Sequence, residues 1–528
     1  MKRTEWNMAA SWLNDAVFYE IYPQSFYDSN GDGIGDIPGI IEKLDYVKSL
    51  GCNALWINPC FDSPFKDAGY DVRDYKRVAP RYGTNEDLIH LFQTAHEKGI
   101  RVLLDLVPGH TSEEHPWFQA SCQEEPNEYS GRYIWTNAWF ARGDGMPFVS
   151  GEAPRNGAYI LNFFKCQPAL NYGYGQCNQP WQQPAGSPEA LATRAALWDI
   201  MEFWLERGCD GFRVDMAGSL VKHDTPDCSY TQAIYQEIRE KLDAQFPEAA
   251  LVSEWGLPRQ ALNCGFDMDF YLEWHGNGYS SLMRDYDTDG NMVMQGPDTS
   301  YFKQDSGTDV TRFLADYLPQ YTDTKDKGLW CFLTCNHDTT RPSFNLSAEE
   351  LKVAYGLLFT MPGAPFLYYG DEIGMAYRKL PSKEGGYTRT GSRTPMQWSR
   401  GKNLGFSTGT PESLYLPVDP DPNAPTVEGQ EEDPQSLLHY TRALIALRHS
   451  HPELQARSPF SVYSAEPGSR LFAYKRGGLL CALNPGVEAL ALPLDGAYRI
   501  LFCQGTAEIQ NQVLAIQGFA VLEPAAGA

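Results

Sequence analysis

Four short segments end apolar runs in the residue types that acid–base chemistry uses. They read "DLVPGHTS" (105–112), "GFRVDMAG" (211–218), "LVSEW" (251–255) and "CNHD" (335–338). Together they supply Asp105, His110, Arg213, Asp215, Glu254, His337 and Asp338. Any one of these alone reads most simply as a satisfied polar residue at a strand end. The whole set, in this order, does not. Arg213 stands two residues before Asp215, so on a strand both project to the same face. Its charge is expected to keep the Asp215 carboxyl low in pKa. Glu254 precedes Trp255, and an apolar, water-poor wall favours a carboxyl that keeps its proton.

A second constellation lies nearer the start. "DSNGDGIGD" (28–36) has the spacing of a calcium loop's first positions: Asp28, Asn30 and Asp32, a glycine at Gly33, the Ile34 carbonyl, then Asp36. The bidentate carboxylate expected further on is replaced by Gly39, and "AVFYEIYPQSF" ahead of the loop reads as a strand rather than a helix. The expectation is one structural Ca²⁺ held by oxygens after a strand. The alternative is a plain Asp/Asn/Gly turn.

The elements that must position these residues alternate in type. Apolar runs at 16–26, 54–59, 101–107, 211–216, 251–255, 266–270, 330–338 and 365–372 are separated by amphipathic stretches such as 85–99, 188–208 and 231–245. Alternating strand and helix implies a parallel sheet with helices outside, and eight such units predict an α/β fold, a (β/α)8 TIM barrel. In such barrels the active site lies at the C-terminal ends of the strands. The barrel is expected over 1–107 and 186–451, with a long loop domain at 108–185 between strand 3 and helix 3. A second long loop covers 376–435, and loops of this length are usually functional or disordered. From about Pro452 the pattern changes to short alternating strands, which predicts a C-terminal antiparallel β-sandwich over 452–528.

The chain has 528 residues, a net charge of −24, 42% hydrophobic and 13% aromatic residues. This is a globular composition. The negative charge argues against nucleic acid or an anionic membrane surface as partner. The first twenty residues lack the apolar run of a signal peptide, and no segment reaches the roughly 18 apolar residues of a membrane span. The 12 cysteines are scattered without a CxxC pair, and most lie in apolar segments. Reduced core cysteines and a cytoplasmic location are expected.

The four segments resemble the motifs of the α-amylase family of glycoside hydrolases (family 13), and the likeness runs through nearly the whole chain. "GYDVRDY", "HTSEEHPWF", "QPALN" and "RTPMQW" are similar to the oligo-1,6-glucosidase and α-glucosidase group. The resemblance implies Asp215 as nucleophile, Glu254 as general acid/base and Asp338 as the third carboxylate, gripping the sugar 2- and 3-hydroxyls. It implies His110 and His337 as hydrogen-bonding partners of the bound glucose, Arg213 as partner of the nucleophile, Tyr70 as the aromatic platform and Asp71 as part of the same pocket wall. It implies retention through a covalent glucosyl-enzyme, which needs two carboxyls roughly 5–5.5 Å apart. The group also carries a metal after its first strand, which suits the Asp28–Asp36 loop.

Three positions depart from the family pattern. Gly109 stands where an asparagine usually binds a second calcium, Ala169 replaces an aspartate, and Met216 follows the nucleophile where the group has smaller residues. Linkage preference therefore stays open. The resemblance to the α-glucosidase group also implies an ion pair between Asp67, three residues before Tyr70, and Arg393 of "RTPMQW", closing the pocket over the terminal glucose. That implies an exo-acting α-glucosidase on short α-glucosides, with endo-acting α-amylase or an α-glucosyltransferase (trehalose synthase-like or glucanotransferase) as alternatives. A non-catalytic transporter-subunit relative is disfavoured, because all three carboxylates are present and no membrane span is. Oligomeric state is not legible.

Overall fold

The eight apolar runs become eight short parallel strands in the computed structural model, which describes residues 10–273, 277–288, 294–384 and 389–525. The strands are β1 (Phe18–Ile21), β2 (Ala54–Ile57), β3 (Arg101–Leu106), β4 (Gly211–Val214), β5 (Ala250–Ser253), β6 (Met268–Phe270), β7 (Leu329–Cys331) and β8 (Phe366–Tyr368). They are hydrogen-bonded in the order β7-β6-β5-β4-β3-β2-β1-β8. A parallel bridge between Leu333 and Phe366 joins the two ends. The barrel interior is filled by Phe18, Trp56, Leu103, Val252, Phe270 and Phe366. Phe18 and Phe366 stack with centroids 4.2 Å apart. The alternate residues, such as Tyr19, Leu55 and Leu104, join the larger cluster under the helices, as period-two side-chain placement requires.

Helices α1 (Ile37–Glu42), α2 (Leu44–Leu50), α3 (Asn85–Glu97), α4 (Pro188–Leu205), α5 (Ser229–Gln245), α6 (Thr311–Thr324), α7 (Ala348–Thr360) and α8 (Leu437–Ser450) follow the strands. Their starts are written in the sequence. Thr84 with Asp87 and Ser347 with Glu350 form reciprocal capping boxes, and Ser187 caps α4 ahead of Pro188. The first strand is shorter than the apolar run at 16–26, because Pro23 turns the chain into a helical turn, Pro23–Phe26.

The loop between β3 and α4 carries a hairpin, Phe148–Ser150 with Ala158–Ile160. Six antiparallel strands between Phe460 and Pro524 form one connected C-terminal sheet. Its last strand, Val513–Pro524, switches partner along its length. It pairs with Leu490–Pro493 up to Ile516 and with Leu479–Asn484 from Gly518. One face of this sheet packs on the barrel helices: a Cβ at Gly356 of α7 would lie 2.5 Å from the Phe519 ring. All twelve cysteines are free thiols. Among the described residues, no helix is long and apolar enough to cross a membrane.

Candidate active site

A cavity of about 370 Å³ opens at the C-terminal ends of the strands, within the range of small-molecule sites. Asp67, Tyr70, His110, Asp215, Glu254 and Asp338 all line it, as do Met216 and Trp255.

Arg213, at the end of β4, is buried and touches three carboxylates. Nη1 lies 3.0 Å from Asp105 Oδ1 and 2.9 Å from Asp215 Oδ1, and Nη2 lies 3.0 Å from Glu254 Oε2. The Met216 N–H donates to the same Glu254 oxygen at 2.9 Å. It does so from a left-handed backbone with φ 42°, a conformation that costs energy for a non-glycine residue and clusters at functional sites. Burial pushes the Asp215 carboxyl well above its usual range and the Glu254 charge adds to that, while Arg213 opposes both. The expectation of a low Asp215 pKa set by Arg213 is therefore corrected: desolvation outweighs the ion pair.

Asp338 follows β7 and is gripped from three sides. Oδ1 accepts from Arg389 Nη1 at 2.7 Å and Arg393 Nη2 at 2.8 Å, and Oδ2 lies 3.2 Å from His337 Nε2. Burial works against ionisation here, but His337, Arg389 and Arg393 hold this carboxyl well below its usual range. His337 Nε2 also meets the Tyr70 hydroxyl at 2.7 Å, and its ring stacks on Tyr70 at 5.4 Å. The Tyr70 hydroxyl donates to Asp105 Oδ2 at 3.0 Å. Burial opposes a charge on His337 too, yet Asp338 and Glu20 push it up to about 9.

His110 is the opposite case. Its Nε2–H donates to the Tyr70 carbonyl at 3.1 Å, and its Nδ1 accepts from Asn162 Nδ2 at 3.0 Å. Burial pushes it down to about 3, so it stays neutral with that tautomer fixed. Asn162 also explains Gly109: a Cβ there would sit 2.8 Å from Asn162 Nδ2. Lys222 Nζ donates to Asn162 Oδ1 at 2.8 Å, tying the long loop to the residues after β4.

Two assignments from sequence move. The partner of Asp67 is Arg389, not Arg393. Arg393 lies behind the cavity, bonded to Asp338, to the His337 carbonyl at 2.8 Å and to Glu384 at 3.4 Å. Asp67 Oδ2 also accepts from Gln167 Nε2 at 2.7 Å. Asp71 is not among the cavity-lining residues. Its carboxylate folds back to accept from the Ser63 hydroxyl and the Lys66 and Asp67 N–H groups, 2.9 to 3.0 Å away, and so shapes the loop that presents Asp67. Arg389 and Phe163 were not singled out from sequence. The signal for Arg389 is a second arginine four residues before Arg393, in "TRTGSRTPMQW".

The Asp28–Asp36 loop sits after the turn that follows β1. Asp28 accepts from the Gly31 and Gly33 N–H groups at 2.7 Å and from the Ser407 hydroxyl at 2.6 Å. Asp36 caps α1 through the Gly39 N–H at 2.6 Å and accepts from Ser29 and Asn30. Asp32 accepts from Ile34 N–H at 2.9 Å. The donor set of Asp28, Asn30, Asp32, the Ile34 carbonyl and Asp36 is all oxygen, which suits a hard cation. Among the described residues, no three His, Cys, Asp or Glu groups are placed to hold a metal ion.

Comparison with known proteins agrees with this geometry. The family model "Alpha amylase, catalytic domain" matches residues 20–457. The chain is 31% identical over 493 residues to the trehalose synthase/amylase TreS of Mycobacterium tuberculosis, covering 84% of this chain and 76% of that one. It is 33% identical over 499 residues to the oligo-1,6-glucosidase of Heyndrickxia coagulans, covering 83% and 85%. A mutant isomaltulose synthase from Erwinia rhapontici, solved with sucrose, superposes with a TM-score of 0.80 at 25% identity, covering 98% of this chain and 100% of that one. A parallel eight-stranded barrel with this set of carboxylates at its mouth, matched along most of its length, belongs to the α-amylase family of glycoside hydrolases.

Proposed function

We propose that this α-glucosidic-bond-processing enzyme is a retaining, exo-acting α-glucosidase that removes terminal glucose from short malto-oligosaccharides or related α-glucosides. In this reading Asp215 Oδ attacks the anomeric carbon while Glu254 gives its proton to the glycosidic oxygen, and the carbon–oxygen bond to the leaving sugar breaks. The glucosyl ester on Asp215 is then cleaved by water, whose proton passes to Glu254. Asp338, held as an anion by His337, Arg389 and Arg393, accepts sugar hydroxyls. His110 lines the site with its one N–H held by the Tyr70 carbonyl, and His337 acts from behind it through Tyr70 and Asp338.

The observation that carries the exo reading is the Asp67–Arg389 ion pair in the cavity wall. Such a pair across the far end of the glucose site leaves no passage for a further sugar. Time-resolved product analysis on maltotriose and soluble starch tests it. Glucose is expected as the first product from maltotriose, with little loss of starch viscosity. Early maltose or longer chains, with a rapid fall in viscosity, would replace it with an endo-acting amylase.

The similarity to TreS favours a second reading, in which the glucosyl group passes to a sugar instead of water. Maltose discriminates: the hydrolase yields only glucose, whereas a trehalose synthase yields trehalose from maltose alone. The Asp28–Asp36 loop is further proposed to hold one structural Ca²⁺, supported by its all-oxygen donor set. The cytoplasm is the proposed compartment, supported by the free cysteines.

A further inference from the structure

The Asp338–His337 pair does not end at the cavity wall. Behind it, on β1, stands Glu20, wholly buried with its side chain inside the barrel mouth. Its Oε1 lies 2.9 Å from His337 Nδ1 and accepts from Asn58 Nδ2 at 3.1 Å. Its Oε2 is buried and has no hydrogen-bond partner among the described residues. A buried carboxylate with one oxygen unsatisfied is costly, and such a group calls for an explanation. A glutamine here could accept the same two N–H groups through its carbonyl. What only the glutamate adds is a negative charge against the Nδ1–H of His337.

We infer that Glu20 is a positioning residue for catalysis, acting through His337: its carboxylate keeps the ring doubly protonated, so that Nε2–H always points at Tyr70 and Asp338 and fixes the carboxylate that grips the sugar. This rests on the proposed role of Asp338, but not on whether attack is exo or endo. The groups facing His337 support the assignment. Asp338 lies on its own loop, Tyr70 on the loop after β2, and Arg393 bonds its backbone carbonyl. Tyr22 stacks above the ring at 6.4 Å, with Trp56 on its edge at 5.8 Å. At longer range Asp105, on β3, interacts with the ring, and Arg213, on β4, supports the charge on Glu20. Asn58 Nδ2 lies 3.1 Å from the same His337 Nδ1 and carries no charge, so Glu20, at 2.9 Å, is the anion at Nδ1 and Asp338 the anion at Nε2. With Glu20 in place, His337 is pushed up to about 9. Burial opposes the charge on Glu20, and the hydrogen bond and charge of His337 support it.

The test is Glu20→Gln against wild type, with kcat/KM on 4-nitrophenyl α-D-glucoside from about pH 5 to about pH 10. The alkaline limb is expected to move to lower pH by about one unit or more, because the ring loses its proton earlier. The acid limb stays in place, and kcat/KM near neutrality falls about tenfold as the Asp338 grip loosens. A profile of unchanged shape, at any height, would overturn the inference, since a merely structural role scales the rate without moving the limb. Should Glu20→Gln fail to fold, ¹⁵N-histidine NMR of the wild type decides. Both ring nitrogens of His337 must report protonation near neutral pH, and a neutral ring there would overturn it.

Discussion

Exchange of Asp215 for asparagine leaves the cavity its shape but removes the oxygen that would bond to carbon. Asp215→Asn is expected to fold and to lose turnover by several orders of magnitude, measured as kcat on an aryl α-glucoside. Glu254→Gln should damage poor leaving groups far more than aryl ones, and added azide should restore the second step. Equal loss on both substrate types, without rescue, would remove Glu254 from the acid/base role. These residues were legible because each closes a short apolar run, where strand direction dictates where the side chain goes. Arg389 was not, because it lies in a long loop without periodicity, and nothing in "TRTGSRTPMQW" says which arginine turns toward Asp67. Asp71 was misplaced for a related reason. In a tight turn a carboxylate can satisfy its own backbone, and spacing alone does not distinguish that from facing the cavity.

At the scale of elements, β1 is tied to α2 and to the turn after β8 by one buried acid. Glu372 Oε1 accepts from the Tyr19 and Tyr46 hydroxyls, both at 2.7 Å. Burial pushes it up to about 7. A raised acid binds its proton more tightly in the folded chain, so its stabilising contribution is whole below the unfolded carboxyl's pKa and is lost as pH rises through about 7. That loss is at most about 3 kcal/mol. Glu372→Gln keeps an acceptor for both tyrosines and carries no charge. Its melting temperature should exceed wild type at about pH 8 and come close to it at about pH 5. The proposed Ca²⁺ at the Asp28–Asp36 loop gives a second expectation at this scale. EDTA should lower the melting temperature more than it lowers kcat, because an ion that binds only the folded loop stabilises the fold without touching the sugar. Unchanged melting, with no metal by elemental analysis, would leave the loop as a self-bonded turn. The barrel elements were legible through alternation and caps. Strand lengths were not, because hydrogen bonding ends where Pro23 or a loop intervenes, while the apolar run continues.

Across the whole molecule, one buried arginine of the C-terminal sheet, Arg476, bonds to a carbonyl of the barrel, beside Arg448 of α8, which bonds to barrel carbonyls alone. Arg476 reaches the Thr360 carbonyl and that of Gln455, the latter at 2.6 Å, while Arg448 reaches the Phe359 carbonyl at 2.9 Å and the Gly363 carbonyl at 2.5 Å. Both gather at the C-terminal end of α7, where a helix presents free carbonyls and favours a cation. Arg476→Met should leave those carbonyls unpaired and cost about 3 kcal/mol. It should read as a lower melting temperature and faster proteolysis between the two parts, with kcat unchanged on the folded fraction. The sequence shows the change to short alternating strands, the first of which runs Phe460–Ser464, but not the partner switch of the last strand. That switch depends on which neighbour reaches each half, and strand pairing is not a local property.

The three carboxylates around Arg213 outnumber the one guanidinium they share. Beside Asp215 and Glu254 the site therefore carries surplus negative charge. A glucose is neutral, and only the oxocarbenium-like transition state brings the missing positive charge. The unfilled charge should be visible in inhibition. A sugar-shaped amine is expected to bind more tightly than glucose, by roughly 10²-fold or more, and only in its protonated form. Raising the pH past the amine's own pKa should weaken its Ki, while the Ki of a neutral sugar analogue stays level over the same range.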